Sequence, residues 1–440
     1  MDYPSSQFGV VMFRCTNELK GLAIDTDSFT DIPVEEWNRI NERIKCVFIT
    51  SDAGTEKSLV AAFGNEKVLY IPQFQMKLSP NRTTHKKVVN ILKSANFDIA
   101  YVSGNYNFVK NARSFLSGSI WVKQTVDYRN TNILPDLIVD DIEDLLKAIN
   151  ENIYGFFGES ILFPNSLDKG IILFVDFDAN NNPIKLITAG RYFPSYHYMA
   201  QLHPYSRAIY LNKQTDKPYT GLFNEKFAGI YKNIINFLKE KTTIDGVCSV
   251  PVKPNKVDNF KYIIDKISKD CNIENYNDKF ICIKDYEDQK ALSSGERAEN
   301  IIGVFQYNGD LTGKTVVIID DIVTTGATLR ECVRTLKKSG AKEVIAVVLA
   351  INQIGPTYWR ATPLISCPYC GCEMILRVAG KGQNRGQFFY SCLNCFHSSG
   401  KNSTKKFKTA WKELSDNEDS KVEQIAIDEN QIEENWRGNL

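Results

Sequence analysis

Residues 315–328, TVVIIDDIVTTGAT, constrain this chain more than any other stretch. A β-branched run reads as a buried strand and ends in two adjacent acids, Asp320 and Asp321. Thr324, Thr325, Gly326, Ala327 and Thr328 then turn straight into a helical pattern, ATLRECVRTLKKSG, with Gly340 placed as its C-cap. The strand EVIAVVLA (343–350) follows, which completes a βαβ unit. Ligands of open α/β sheets sit at the C-terminal ends of such strands. A Thr/Gly-rich turn at a helix N-terminus can aim several N–H groups and hydroxyls at one phosphate. Gly326 permits close backbone approach. The two aspartates repel a phosphate. They suit the hydroxyls of a sugar, or Mg²⁺ held only through water. The segment has neither the Gly-rich Lys-Ser/Thr loop of nucleoside triphosphate binders nor the three-glycine dinucleotide fingerprint.

The chain has 440 residues, which suggests two to four domains. In residues 1–150, short apolar runs (21–25, 46–50, 67–71, 98–102, 118–122) alternate with helical patterns, and LIVDDIEDLLKAI closes the unit. That rhythm reads as α/β with a mostly parallel sheet. Residues 151–355 form a second α/β unit, which opens with a hairpin (170–177 and 183–190) and continues through a helix at 225–240 and a strand at 247–252. Residues 361–412 form a small cysteine module, and 413–440 an acidic, flexible tail. Lys+Arg (53) and Asp+Glu (52) nearly cancel, so a globally basic nucleic-acid binder is not indicated. No membrane-length apolar run and no secretory signal pattern occur, which makes the cytoplasm the expected compartment.

The acid pair and its loop resemble the 5-phosphoribosyl-1-pyrophosphate (PRPP) motif of type I phosphoribosyltransferases, in particular the competence-protein F-like branch. Cys248–Lys253 (CSVPVK) is similar to that branch's early strand and pyrophosphate loop, and Gln289, Arg297, Asn300 and Gly303 to its flexible-loop stretch. The resemblance covers roughly residues 155–352. It implies a parallel-sheet core, a mobile hood loop and Mg²⁺-PRPP in the site. It also implies roles. Asp320 and Asp321 hold the ribose hydroxyls, and Thr324, Thr325, Gly326, Ala327 and Thr328 wrap the 5′-phosphate. Val252 and Lys253 lie at the pyrophosphate. Gln289, Arg297 and Asn300 close over it, with Arg297 balancing charge on the leaving group. The implied reaction is a glycosyl transfer at C1 with loss of pyrophosphate, to an acceptor the motif does not name. Pairing into a homodimer is common in the family.

In the N-terminal unit, Asp25 and Asp27 end the first strand as Asp-x-Asp, a pattern that can supply a nucleophile and a general acid beside Mg²⁺. With Thr50 or Ser51 on the next strand and Lys86 or Lys87 starting a helix, the order resembles a small haloacid-dehalogenase-like hydrolase with a Rossmann-like fold. Asn105 stands where that family has a Mg²⁺-binding aspartate, and the missing carboxylate weakens a hard-cation site. Three readings stay open here: a phosphatase, a ligand-sensing or structural remnant, and an unrelated α/β unit.

Cys367 and Cys370, then Cys392 and Cys395, form two CxxC pairs at zinc-ribbon spacing, so four thiolates fit a structural Zn²⁺. The module resembles the C-terminal zinc ribbons of type IA topoisomerases, which bind single-stranded DNA. Its eight Lys/Arg against one acid between 367 and 412, with Tyr369, Phe388, Tyr390 and Trp411, suit single-stranded DNA or RNA. A purely structural clip is the other reading. For the whole chain, the expectations are a phosphoribosyltransferase, a weakly catalytic sensor of PRPP or a nucleotide tied to DNA or RNA, or a two-step phosphatase-phosphoribosyltransferase.

Overall fold

Alternating side chains build the first sheet. Leu22, Ile24, Cys46 and Phe48 face one layer of the core, while Ala23, Val47, Ile49 and Tyr101 face the other. In the computed structural model these residues lie on six parallel strands: β1 (Gly21–Asp25), β2 (Lys45–Thr50), β3 (Val68–Tyr70), β4 (Ile99–Ser103), β5 (Gly118–Val122) and β6 (Leu137–Val139). Their order is β3-β2-β1-β4-β5-β6, so the chain reverses its direction of travel between β1 and β4. Helices α1 (Val34–Arg43), α2 (Ala53–Phe63) and α5 (Ile142–Asn150) pack on one face. Helices α3 (Arg82–Leu92) and α4 (Tyr106–Arg113) cover the other. Sequence caps start two of them: Asp52 accepts from Thr55 N at 2.7 Å, and Asn81 from Thr84 N at 3.0 Å.

The structure describes residues 19–94, 98–113, 115, 117–122, 132–150, 155–160, 173–177, 184–194, 203–213, 221–254, 256–286, 300–353, 374–378 and 388–392. A second sheet holds β7 (Leu173–Phe177), β8 (Ile184–Thr188), β9 (Arg191–Tyr192), β10 (Gly246–Ser249), β11 (Glu274–Asn275), β14 (Thr315–Val323) and β15 (Glu343–Asn352). The order is β11-β10-β14-β15-β8-β7, with β9 continuing the β8 edge against β15. All pairings are parallel except β7 with β8, the hairpin expected from the sequence. Val316 and Ile318 face the layer of helix α9 (Ala327–Lys338). Val317 and Ile319 face helices α6 (Pro204–Asn212), α7 (Asn224–Lys239) and α8 (Lys261–Cys271).

Two boundaries differ from the sequence reading. β14 does not end at the aspartates. It runs through them, because Ile322 and Val323 keep their pairing with Ala350 and Ile351. β10 stops at Ser249, which leaves Val252 and Lys253 in the loop beyond it. Two short ribbons complete the described structure: β12 (Phe280–Cys282) with β13 (Phe305–Tyr307), and β16 (Met374–Val378) with β17 (Phe388–Cys392), both antiparallel. No described helix is long and apolar enough to cross a membrane.

The two sheets meet at a buried cluster of charges. Arg191 on β9 donates through Nε and Nη2 to both oxygens of Glu159, each at 2.9 Å. Its Nη1 donates to Asp136 Oδ1 at 2.6 Å, just before β6 of the first sheet. All three side chains are buried. Leu134 N donates to Gln353 Oε1 at 2.8 Å and ties the same segment to the end of β15.

Candidate functional site

The acid pair sits where β14 leaves the core, both residues half-buried. Each carboxylate is held by the backbone that follows it. Asp321 N donates to Asp320 Oδ1 at 2.9 Å, and Ile322 N donates to Asp321 Oδ1 at 2.6 Å. The strand itself is pinned from the α7 side, where the Tyr231 hydroxyl donates to Asp320 O at 2.7 Å. Lys213, directly after α6, brings Nζ to 2.7 Å from Asp321 Oδ2. Burial, and then the neighbouring charge of Asp321, push the Asp320 carboxyl up to about 7, with Lys213 pulling the other way. The result is two adjacent acceptors with one cation beside them.

The Thr/Gly turn expected to cradle a phosphate follows at once. Gly326 is the N-cap of α9 with φ 71°, a left-handed conformation that glycine adopts without strain. Arg330 N reaches back to Gly326 O at 2.9 Å, so the helix begins there. The first N–H groups of a helix have no intrahelical partner, and a terminus of this kind suits an anion. Thr324 is exposed, Thr325 and Thr328 are half-buried, and Ala327 is buried. Thr325 Oγ1 is buried without a hydrogen-bond partner. An orphaned hydroxyl at the mouth of such a turn fits an anion that supplies the missing partner.

The loop after β10 forms the facing wall. Ser249 N and Oγ both donate to Asn277 Oδ1, at 2.9 and 2.7 Å, and Asn277 Nδ2 donates to Asp258 Oδ2 at 2.9 Å. That chain of bonds fixes where the strand ends. Beyond it, Val252 is exposed. Lys253 donates to Tyr286 O at 2.6 Å and stands 4.4 Å from the centre of the Tyr286 ring. Tyr286 is the last residue described before residues 287–299, and it packs against Phe305 on β13. Asn300 is half-buried at the other end of that stretch. Gln289 and Arg297 lie outside the described residues. Lys213, Tyr231 and Asn277 escape the sequence reading. Tyr231 carries the one available hint, a tyrosine on the apolar stripe of a helix whose hydroxyl needs a partner.

The N-terminal Asp-x-Asp forms a separate cluster, with Asp25 buried and Asp27 exposed. Asp25 is buried, and its Oδ2 accepts from Ser28 Oγ at 2.7 Å and Ser103 Oγ at 2.6 Å. Its Oδ1 has no hydrogen-bond partner. Asp27 accepts from Thr50 Oγ1 at 2.6 Å, and from Ser51 N and Oγ at 2.8 and 2.5 Å. The hydroxyls expected to meet a phosphate therefore meet this carboxylate. Asn105 turns its amide toward Met76 O at 3.4 Å, and Lys86 and Lys87 are exposed on α3.

Burial raises the Asp25 carboxyl above the ordinary aspartate value, with the two serine bonds offsetting part of that rise. A raised folded value means that the folded state takes up the proton more readily than the unfolded chain, so Asp25 costs stability near neutrality and less on acidification. Asp25→Asn keeps an acceptor for both serines. It should raise the unfolding temperature near neutral pH, and the gain should shrink on acidification. Calorimetric melts near neutral pH and at acidic pH check this, and a gain that grows on acidification contradicts it.

Cys367, Cys370 and Cys395 lie outside the described residues, and Cys392 ends β17. Among the described residues no group of three or more His, Cys, Asp or Glu is placed to hold a metal ion.

A family model described as a phosphoribosyl transferase domain matches residues 280–367. A transcriptional regulator GfcR of Methanosphaera stadtmanae is 40% identical over 52 residues, 12% of this chain and 26% of that protein. A ribose-phosphate pyrophosphokinase of Synechococcus elongatus is 42% identical over 55 residues, 12% of this chain and 17% of that protein. A second GfcR regulator, from Methanococcoides burtonii, is 34% identical over 88 residues, 20% of this chain and 40% of that protein. The chain thus spans well under half the length of these relatives. A type I phosphoribosyltransferase-like domain lies toward its C-terminus.

Proposed function

We propose that this chain is a phosphoribosyltransferase that binds PRPP and moves its phosphoribosyl group to an acceptor, with release of pyrophosphate. The observation that carries the reading is the juxtaposition on β14 and α9: two fixed carboxylates, then an orphaned threonine hydroxyl, then a left-handed glycine that caps a helix N-terminus. A ribose 5-phosphate carries the complementary groups in the same order, hydroxyls for Asp320 and Asp321 and a phosphate for the 324–328 turn.

In this reading the bond from C1 to the pyrophosphate oxygen breaks, and a bond from C1 to the acceptor forms. The chain contributes position. The acids hold the sugar diol, the turn holds the 5′-phosphate, and Lys253 faces the departing pyrophosphate. Lys253 is already oriented by Tyr286, so it is preorganised for negative charge. The resemblance adds Gln289, Arg297 and Asn300 to the proposal, as groups that would meet the departing pyrophosphate. Mg²⁺ would arrive on the pyrophosphate and neutralise part of its charge. The donor set suits this, because the only carboxylates on β14 are already bonded to backbone and to Lys213, which leaves the metal to the substrate.

The test is pyrophosphate release from PRPP by the full chain, with Mg²⁺ and a panel of bases and single-stranded oligonucleotides. Acceptor-dependent release establishes transfer and names the acceptor class. Tight PRPP binding without release favours the sensing alternative, which the partial likeness to proteins named as transcriptional regulators also supports.

Two finer readings belong to the same proposal. The antiparallel β16–β17 ribbon pairs Met374 with Cys392, so the strand ends adjoining the two CxxC pairs lie at one end. This supports a Zn²⁺ held by Cys367, Cys370, Cys392 and Cys395. Elemental analysis of the purified chain should find about one zinc per chain, and Cys367→Ser/Cys392→Ser protein much less. In the N-terminal unit, the engagement of Asp27 by Thr50 and Ser51 and the amide at Asn105 support a remnant over an active phosphatase.

A further inference from the structure

Lys213 lies in none of the motifs that point to the site, yet among the described residues it makes the one ion pair that reaches the acids. Its anchoring is specific. The helix α6 that delivers it is fixed by Tyr205, which donates to Leu349 O on β15 at 2.9 Å. The residue before it, Asn212, is buried, donates to Asn224 Oδ1 at 2.9 Å and accepts from Phe223 N at 3.1 Å. Both elements flanking the acids, β15 and α7, thus set the position of Lys213. Its side chain is 40% exposed and that of Asp321 only 22%, so the pair stands at the mouth of the site rather than on open surface.

Asp321 has two acceptor oxygens. Oδ1 takes the Ile322 N–H and Oδ2 takes Lys213. Without Lys213, two adjacent half-buried carboxylates would face each other's charge with no cation bonded to either. Such pairs relieve the repulsion by sharing a proton, and a protonated acid donates where a sugar hydroxyl needs an acceptor. We propose that Lys213 is the positioning residue of the acid pair: it fixes the Asp321 carboxylate and balances its charge, so that both acids present acceptors to the diol of a phosphoribosyl ligand. This rests on the reading of the site as a PRPP site.

Among the described residues, Tyr231 from α7, Cys332 from α9 and Tyr286 from the segment after β12 face the acids, and Tyr192 from β9 faces Lys213. Burial keeps the Tyr231, Cys332 and Tyr286 groups neutral through the neutral range. None of the four carries a positive charge that could stand in for Lys213. Burial works against the charge on Lys213 itself, but Asp321 more than restores it.

The experiment is calorimetric binding of PRPP to the full chain, with Lys213→Met and Lys213→Arg proteins, at pH ~6, ~7 and ~8.5. Near pH 7 the Met variant should bind about ten-fold more weakly. The deficit should narrow at pH ~8.5, where both acids ionise unaided, and widen at pH ~6. The Arg variant should recover most of the affinity. Equal binding by wild type and Met variant overturns the role of Lys213 and leaves the PRPP site standing. A deficit of the same size at every pH, or one that arginine does not repair, also overturns it, by reducing Lys213 to a packing role. A wild-type chain that does not bind PRPP overturns the site reading, and this inference with it.

Discussion

Asp320→Asn/Asp321→Asn protein will release pyrophosphate from PRPP at least ~100-fold more slowly than the wild-type chain, with its fold intact. In the proposed site each acid contributes a charged acceptor to a ribose hydroxyl, and such a bond is worth about 1.5–3 kcal/mol. Losing two removes about 3–6 kcal/mol, or roughly 10²–10⁴ in rate if the contacts tighten as the C1 bond breaks. The fold should not suffer. Asparagine keeps the oxygen that accepts the backbone N–H on each residue, and it removes the cost of holding Asp320 charged in its buried setting. The ion pair with Lys213 is partly exposed, so its loss should cost little stability. Single-turnover release and a thermal melt on the same preparations separate the two effects. Release within about three-fold of wild type would place the chemistry elsewhere.

The βαβ unit that carries this prediction was legible because local signals agree there. The β-branched run, the Thr/Gly turn, the apolar stripe of α9 and the glycine after it all specify one local structure. The strand end was misplaced for a physical reason. Polar residues look like the end of a strand, but Ile322 and Val323 resume pairing beyond them, so the acids project from a rigid ladder instead of a loop. The first sheet was legible as strands and helices, while its order was not, since order depends on which edges meet after the chain has travelled. Lys213 was illegible for a similar reason. A lysine after an apolar helix is an ordinary surface residue in sequence, and what marks it is an aspartate more than a hundred positions away.

Arg191 is the extreme case, and it carries the largest effect expected on stability. Its partners Glu159 and Asp136 are 32 and 55 residues upstream, so no spacing rule connects them. In the structure it is 1% exposed and flanked by the Phe156 and Phe193 rings, at 5.2 and 5.4 Å. The Glu159 contact is bidentate, the geometry in which arginine is strongest and lysine cannot substitute. Asp136 is committed on its other oxygen to Ser119 N and Oγ, at 2.8 and 3.1 Å, so it cannot turn away to find a new cation. His203 Nε2 stands 3.1 Å from Glu159 Oε2, and among the described residues Arg191 is the one permanently charged cation paired with both carboxylates. Arg191→Ala therefore strands two buried carboxylates at the seam between the sheets, and removing one partner of such a cluster costs about 3–5 kcal/mol. Against a typical total of about 5–15 kcal/mol, that is enough to unfold a large fraction of the chain at physiological temperature. Gly155→Ala should produce the same phenotype without touching a charge, because an added Cβ would lie 1.9 Å from Asp136 O. Urea unfolding followed by tryptophan fluorescence reads both variants in a chain whose Trp359, Trp411 and Trp436 are replaced by Phe: Trp37 and Trp121 then report the first sheet, while binding of PRPP to the proposed site reports the second. If the seam joins the sheets into one cooperative unit, the two signals fall together in both variants. An Arg191→Ala chain that loses less than about 1 kcal/mol, or whose first sheet melts alone while PRPP binding persists, shows that the buried charges do not couple them.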